Sequence, residues 1–178
     1  MRWSLLLVLL LIVGCSPLTV DNTEEVIDMR LTSNFSEGEM ISSVYTCDGA
    51  NSVPPLMVEG VPAGVKSLVL IMDDPDIPAE IKAQRGIEKF DHWILFNIDP
   101  SIKEITATSG ITGKNGRGEN SYTGPCPPPQ YQPTTHRYYF KLYGLDVMLD
   151  LSEGVTKKEV EDAMKGHVIS ETVLIGKY

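Results

Sequence analysis

The chain has 178 residues and a formal charge of −9 at pH 7, from 24 acidic and 15 basic side chains. This length suits one domain with a sizeable core and is too short for two domains of ordinary size. An acidic chain without a basic stripe lacks the clustered Lys and Arg that neutralise phosphates, so we predict no nucleic-acid partner. The same charge does not favour adsorption to an anionic membrane surface, so any membrane attachment should come from a lipid.

The N-terminus has the pattern of a targeting segment. Arg2 supplies a positive charge, and the apolar run from Leu5 to Val13 is too short to span a bilayer comfortably. The run ends in Ile12-Val13-Gly14-Cys15, which resembles the lipobox of prokaryotic lipoproteins, where cleavage precedes a lipidated cysteine. We predict a signal peptide at 1–14, a lipidated cysteine and polar tether at 15–26, and a domain at 27–178. The protein would then be an extracytoplasmic, membrane-anchored lipoprotein, with ordinary secretion or an uncleaved anchor as the alternatives.

Strand patterns dominate the predicted domain. Alternating or continuous apolar residues, bounded by Gly, Pro and Asp, predict strands at 27–31, 40–46, 56–58, 66–72, 93–98, 137–143 and 168–175. The run at 66–72 is almost wholly apolar, which is typical of a central strand covered on both faces. Residues 79–90 favour one or two helical turns. The clearest helix begins at Thr156, whose capping box with Glu159 precedes an apolar face, and it should end at Gly166. Many strands with one good helix predict a β-rich, mostly antiparallel domain.

Two loop regions carry an unusual density of chemically active residues. The first is Asp73-Asp74-Pro75-Asp76-Ile77-Pro78, followed along the chain by Asp91-His92-Trp93. The second is Gly124-Pro125-Cys126-Pro127-Pro128, followed by His136-Arg137-Tyr138. An isolated Asp-Pro pair is usually only a turn. Two of the chain's three histidines, however, lie at these junctions between loop and strand, where rigid scaffolds commonly carry their sites.

The residues in these regions are compatible with three chemistries. Histidines oriented by carboxylates can present N–H donors to an anion, and we rank anion binding first. A divalent metal held by Asp74, Asp76, His92 and His136 ranks second, although no tight ligand spacing is present. Nucleophilic catalysis by Cys126 with His136 as base ranks third, because prolines surround the cysteine and no helix N-terminus is evident to lower its pKa.

The cysteines and glycines add two further observations. Cys47 and Cys126 are the only cysteines of the predicted domain. Outside the cytoplasm such a pair could form a disulfide, although the spacing does not show whether the two cysteines meet.

Residues 107–124 hold five glycines, but Glu119 follows Gly118 where a phosphate-binding P-loop needs a lysine. We interpret this segment as a long surface loop, and long loops are often functional. We predict neither a cofactor nor a resident metal.

At these motifs the sequence resembles the phosphatidylethanolamine-binding protein family, also called the Raf kinase inhibitor protein family, in its bacterial and archaeal branch. The matching segments are Tyr45-Thr46-Cys47-Asp48-Gly49, the Asp73–Pro78 segment, Phe90-Asp91-His92-Trp93, the Gly124–Pro128 segment and His136-Arg137-Tyr138-Tyr139-Phe140. The resemblance covers about residues 29 to 178. The sequence departs from the family pattern in the Gly-rich loop, where the aromatic residue expected near Arg117 is missing.

The resemblance implies an antiparallel two-sheet β-sandwich with Greek-key connections and a few peripheral helices. It also implies a small pocket for a phosphate-type anion or a phospholipid headgroup, lined by Asp74, Asp76, Pro78, His92, Gly124, Pro125, His136 and Tyr138. The family is associated with binding and inhibition of kinases or proteases and not with an established reaction. Our first hypothesis is therefore a lipid-anchored, extracytoplasmic binding protein, for which the resemblance also implies a role as an inhibitor-type regulator of a protease or kinase partner. The alternative is a metal-dependent or cysteine-based hydrolase on the same scaffold.

Overall fold

The eight strands of the computed structural model, which describes residues 28–178, pair into two antiparallel sheets. The predicted signal peptide, Cys15 and the polar tether lie outside the described residues. The strands are β1 (Arg30–Thr32), β2 (Leu56–Glu59), β3 (Ser67–Asp74), β4 (Phe90–Ile98), β5 (Glu104–Ile105), β6 (Ile111–Thr112), β7 (Arg137–Leu145) and β8 (Val168–Lys177). The two helices are α1 (Ala79–Arg85) and α2 (Lys157–Met164). This mainly β architecture confirms the predicted fold class.

The larger sheet has the order β6-β4-β3-β7-β8, and the smaller has the order β1-β2-β5. Strand β3 is central and all eight of its residues are buried, as the continuous apolar run predicts. Its even-numbered apolar residues, Leu68, Leu70 and Met72, join the core between the two sheets. Its odd-numbered residues, Val69 and Ile71, join a second core on the other face of the sheet. The chain is therefore layered as small sheet, large sheet and helix.

Helix α2 covers this second core with Val160 and Met164. It begins with the predicted capping box, because the Thr156 side chain and Glu159 each bind the other's backbone N–H. The helix ends at Met164, two residues before Gly166, which adopts a φ of 80°. Gly166 therefore serves the turn into β8.

The predicted strand at 40–46 is wrong. Only Met40 forms an isolated bridge, to Lys177, and Ser43–Tyr45 form a 3₁₀ turn. The backbone N–H and the hydroxyl of Thr46 both donate to the Ser43 carbonyl, which closes the turn. The local turn chemistry of serine and threonine thus prevails over the apolar pattern in this segment.

The end of β3 places two consecutive aspartates on opposite faces of the large sheet. Asp73 pairs with Lys141 and lies 3.7 Å from the Lys89 ammonium, on the face covered by α2. Asp74 pairs with His136 on the opposite face. The pairing of β3 with β4 also shifts register between Met72 and Asp73.

Among residues 28–178, no helix is long and apolar enough to cross a bilayer.

Candidate functional site

A pocket of about 250 Å³ opens where β3 ends and where β4 and β7 begin. Helix α1, the Gly-rich loop and the segment after Tyr122 close its sides. Its lining combines polar groups with an apolar surface and consists of Asp74, Ile77, Pro78, Ile81, Arg85, Phe90, His92, Arg117, Thr123, Gly124, Cys126, Pro128, His136 and Tyr138. The two loop regions singled out in the sequence therefore meet in space.

Asp74 and His136 form a buried pair at the base of this pocket. The Nδ1–H of His136 donates to the Asp74 carboxylate at 2.7 Å, and its Nε2–H donates to the Pro133 carbonyl at 3.1 Å. Burial disfavours the charged ring, but Asp74 and the Pro133 carbonyl outweigh it, so the pKa of His136 lies above its ordinary value. Both ring protons are then occupied by protein acceptors. His136 therefore has no uncommitted N–H to donate to a ligand.

His92 is held differently from the orientation that the sequence suggested. Its Nδ1 lies 2.7 Å from the Thr123 carbonyl oxygen, which can only accept, so Nδ1 carries the ring proton. Burial lowers the pKa of His92 to about 4, against the opposing effects of the Thr123 carbonyl and Asp74. The ring is neutral near pH 7, and its Nε2 is a hydrogen-bond acceptor. The interpretation of His92 as an N–H donor oriented by a carboxylate is wrong, because a backbone carbonyl occupies the orienting position.

Tyr138 contributes an uncommitted hydroxyl. The side chain is fully buried between the two histidines, with ring centroids 5.2 Å from His92 and 6.4 Å from His136. Its hydroxyl has no hydrogen-bond partner among the described residues. Burial and then the negative charge of Asp74 raise the pKa of Tyr138, and the Cys126 backbone N–H lowers it; because this N–H is a donor, it offers the hydroxyl proton no acceptor. A buried donor without an acceptor is costly, so a ligand that accepts this proton would remove that cost.

Two arginines give the pocket its positive charge, and the sequence did not single them out as site residues. Arg85 lies in the last turn of α1, directly before Gly86, which adopts a left-handed conformation with a φ of 65°. Arg117 lies at the tip of the Gly-rich loop, where the buried Asn115 side chain accepts from the backbone N–H groups of Arg117 and Glu119. This folded tip was detectable as an Asn-Gly turn signal. No comparable signal marks Arg85.

The Gly-rich loop is fixed at the pocket by a close approach to β4. Gly116 donates to the Asp91 carbonyl at 2.7 Å. A Cβ at this position would lie 2.6 Å from the Phe90 ring, so any larger residue would force the ring to move. The approach holds Arg117 beside the pocket.

The opposite wall, residues 122–126, is attached to the 3₁₀ turn and its flanking residues. The Gly124 N–H donates to the Asn51 side chain at 2.8 Å, and the Cys47 N–H donates to the Pro125 carbonyl at 3.0 Å. A disulfide joins Cys47 to Cys126, with their Cα atoms 5.4 Å apart. A Cβ at Gly124 would lie 2.4 Å from the Tyr45 carbonyl oxygen, so this wall also requires glycine.

Two of the eight predicted pocket residues do not line the cavity. The Asp76 carboxylate accepts two hydrogen bonds from the Arg137 guanidinium, at 2.8 and 2.7 Å, which lowers the pKa of Asp76. Pro125 is a buried member of the wall that does not line the cavity, and its carbonyl accepts from the Cys47 N–H. The other six, Asp74, Pro78, His92, Gly124, His136 and Tyr138, all face the cavity.

The structure argues against the two catalytic interpretations. Cys126 is bonded to Cys47, so no thiolate is present to act as a nucleophile. Across residues 28–178, no group of three or more His, Cys, Asp or Glu side chains is arranged to hold a metal ion. In particular, Asp76 is committed to Arg137, and the ring nitrogens of His136 are committed to Asp74 and Pro133.

Fold and pocket together define a class of small β-sandwich proteins with a cavity at one end of the larger sheet. Comparison with known families identifies the family within that class. The family model for the phosphatidylethanolamine-binding protein matches residues 31–178, and the chain belongs to this family.

Curated relatives extend over most of the chain. A UPF0098 protein of Methanothermobacter thermautotrophicus is 43% identical over 156 residues, which are 83% of this chain and 95% of the relative. A UPF0098 protein of Chlamydia trachomatis is 42% identical over 154 residues, covering 84% and 98% of the two chains.

Solved structures agree with this assignment. The crystal structure of a phosphatidylethanolamine-binding protein homologue from Chlamydia trachomatis superposes with a TM-score of 0.78 at 42% identity, over 85% of this chain and 97% of the other. The YbcL protein of E. coli, described as a new member of the mammalian family, gives a TM-score of 0.72 at 23% identity, over 85% and 98% of the chains. The latter likeness supports the fold alone.

Proposed function

We propose that this protein binds a small phosphate-type anion, free or as a headgroup, in the pocket at the end of β3. The observation that carries this proposal is the convergence of Arg85, Arg117 and the unpartnered Tyr138 hydroxyl on one cavity. Arginine guanidinium groups match phosphate oxygens in a bidentate geometry, and a buried hydroxyl adds a directed donor.

The local charge favours an anion despite the acidic chain. Asp74 and the His136 imidazolium offset each other as a buried pair. The two arginines remain as net positive charge at the cavity, because neither forms an ion pair within residues 28–178. A cavity that is partly closed by protein walls strengthens such electrostatic interactions relative to water.

Titration calorimetry with inorganic phosphate and phosphoethanolamine tests the proposal. The wild-type protein should bind, and Arg117→Ala and Tyr138→Phe should each weaken binding by about tenfold, the effect of one lost hydrogen bond to a charged group. Arg30→Ala is the matched control, because Arg30 pairs with Glu59 on the far sheet. Absent heats in the wild type, or equal binding by both pocket variants and the wild type, would refute the proposal.

An extracytoplasmic location is part of this proposal. The Cys47–Cys126 disulfide supports it, since disulfides persist in oxidising compartments and are rare in the cytoplasm of most organisms. Lipid attachment at Cys15 would then hold the pocket near a membrane surface.

A further inference from the structure

We propose that the pocket selects an anion that still carries at least one acidic proton. The matching ligands are phosphomonoesters in their monoanionic form and inorganic phosphate, which keeps a P–OH group in both its monoanion and its dianion, in preference to phosphodiesters and sulfate. This inference rests on the proposed function and specifies which phosphate chemistry the site takes.

The tautomer of His92 makes its ring a hydrogen-bond acceptor in the cavity. The Thr123 carbonyl fixes the ring proton on Nδ1 through a 2.7 Å hydrogen bond. Nε2 has no partner among the described residues, and His92 lines the cavity while only 4% exposed. The ring therefore presents a lone pair to a bound ligand. The low pKa of His92, about 4, keeps this arrangement over the physiological range.

Asp74 also lines the cavity and supplies a second acceptor. One of its oxygens accepts from the Asp76 backbone N–H at 2.8 Å and the other from His136. Each oxygen thus accepts one hydrogen bond and keeps a second lone pair. The oxygen lone pairs of a fully deprotonated anion bound here would face the lone pairs of the His92 Nε2 and the Asp74 carboxylate, and this contact is repulsive. A P–OH group instead donates its proton to Nε2 or to the carboxylate.

The remaining groups around His92 are donors or cations. They are His136 from the loop directly before β7, Tyr138 from β7, Arg117 from the Gly-rich loop and Arg85 from α1. The cavity thus has cationic and hydroxyl donors for the charged oxygens of a ligand together with acceptors for a hydroxyl. Only an anion with both kinds of oxygen satisfies the two sets at once.

Phosphate chemistry makes this requirement selective. A phosphomonoester loses its second proton with a pKa of about 6, so the singly protonated form is abundant near and below that pH. A phosphodiester monoanion and sulfate carry no such proton. Sites whose buried polar groups are left unpaired by the wrong ligand discriminate strongly against it.

Calorimetry at pH 5.5 with methyl phosphate, dimethyl phosphate and sulfate is the direct test. Methyl phosphate should bind at least about tenfold more tightly than either of the others, as expected when a buried acceptor is left without its proton. Equal affinity for all three would overturn the inference while leaving anion binding intact. Absence of binding by all three would overturn both proposals.

The pH dependence separates the ligand's proton from that of His136. Affinity for methyl phosphate should fall as pH rises above about 6. Methylphosphonate holds its second proton more tightly, so its affinity should persist to higher pH. If His136 were the titrating group, both ligands would lose affinity over the same pH range, and that result would contradict the inference.

A variant pair completes the test. His92→Phe removes the acceptor from an aromatic site flanked by Phe90 and Tyr138, and it should abolish the preference for methyl phosphate over dimethyl phosphate. His167→Phe, a half-exposed position paired with Asp146, should leave that preference unchanged. Preserved selectivity in a folded His92→Phe variant would overturn the inference. The ligand series and pH profile on wild-type protein give the same decision if the variant does not fold.

Discussion

Removal of the disulfide should destabilise the protein substantially. The perturbation is the double substitution Cys47→Ala and Cys126→Ala, which leaves no lone thiol behind. The bond joins the 3₁₀ turn to the pocket wall and closes a loop across a sequence separation of 79 residues. Its removal releases the unfolded chain from that constraint.

The loop length sets the expected magnitude. The chain-entropy relation for a loop of this size gives about 4 to 5 kcal/mol of lost stability at 25 °C. Domains of this size are stable by roughly 5–15 kcal/mol in total, so the loss is a large share. The hydrogen bonds from Cys47 to Pro125 and from Gly124 to Asn51 remain and should preserve the folded geometry of the wall.

Urea denaturation followed by tryptophan fluorescence measures this loss. The double variant should unfold at a much lower urea concentration, and wild-type protein treated with a reductant should match it. A loss below about 1 kcal/mol would refute the reasoning, because loop closure would then not constrain the unfolded state of this chain as the chain-entropy relation requires.

Three further outcomes are expected. Thr156→Ala should lower the free energy of unfolding by about 1 kcal/mol in urea denaturation, because it removes the capping box of α2, and an unchanged midpoint would contradict this. Stability should rise by about 3 kcal/mol between pH 4 and 6.5 through His92, whose folded pKa is about 4 while the unfolded ring protonates near 6.5. Above pH 6.5 stability should fall as pH rises through the raised pKa of His136, and a flat profile across both ranges would contradict these assignments. Intact mass of the membrane fraction should show a lipidated Cys15 at the N-terminus, and an unmodified Cys15 would refute the lipoprotein prediction.

Regular periodicity predicted the parts of the fold that long elements build. The apolar run of β3, the aromatic strand β7 and the Thr156 capping box are each visible in the sequence and present in the structure. Strands β5 and β6 have two residues each, which is too few to show the alternating apolar pattern of a strand. Residues 40–46 do not form the predicted strand, because Ser43–Tyr45 form a turn while Ile41 packs into the core.

The candidate site was predictable in its location and less so in its chemistry. Asp74, His92 and His136 meet because their junctions lie on adjacent strands of one sheet. The proton position on His92 depends on the Thr123 carbonyl, which lies 31 residues away in sequence. Arg85 reaches the cavity from a short helix of ordinary composition. Partners of these kinds are set by tertiary contacts, which no local pattern encodes.

The consecutive aspartates at the end of β3 have a consequence for how the site tolerates sequence change. Since Asp73 and Asp74 are chemically identical, a slip of one residue would still offer a carboxylate to His136 or to Lys141, depending on its direction. The same slip would exchange Ile71 with its neighbour Met72 between two differently shaped cores. Strand packing, more than charge, therefore determines which aspartate serves the pocket. An insertion or deletion within β3 should therefore destabilise the protein mainly by disrupting the two cores, and less by removing a carboxylate from the site.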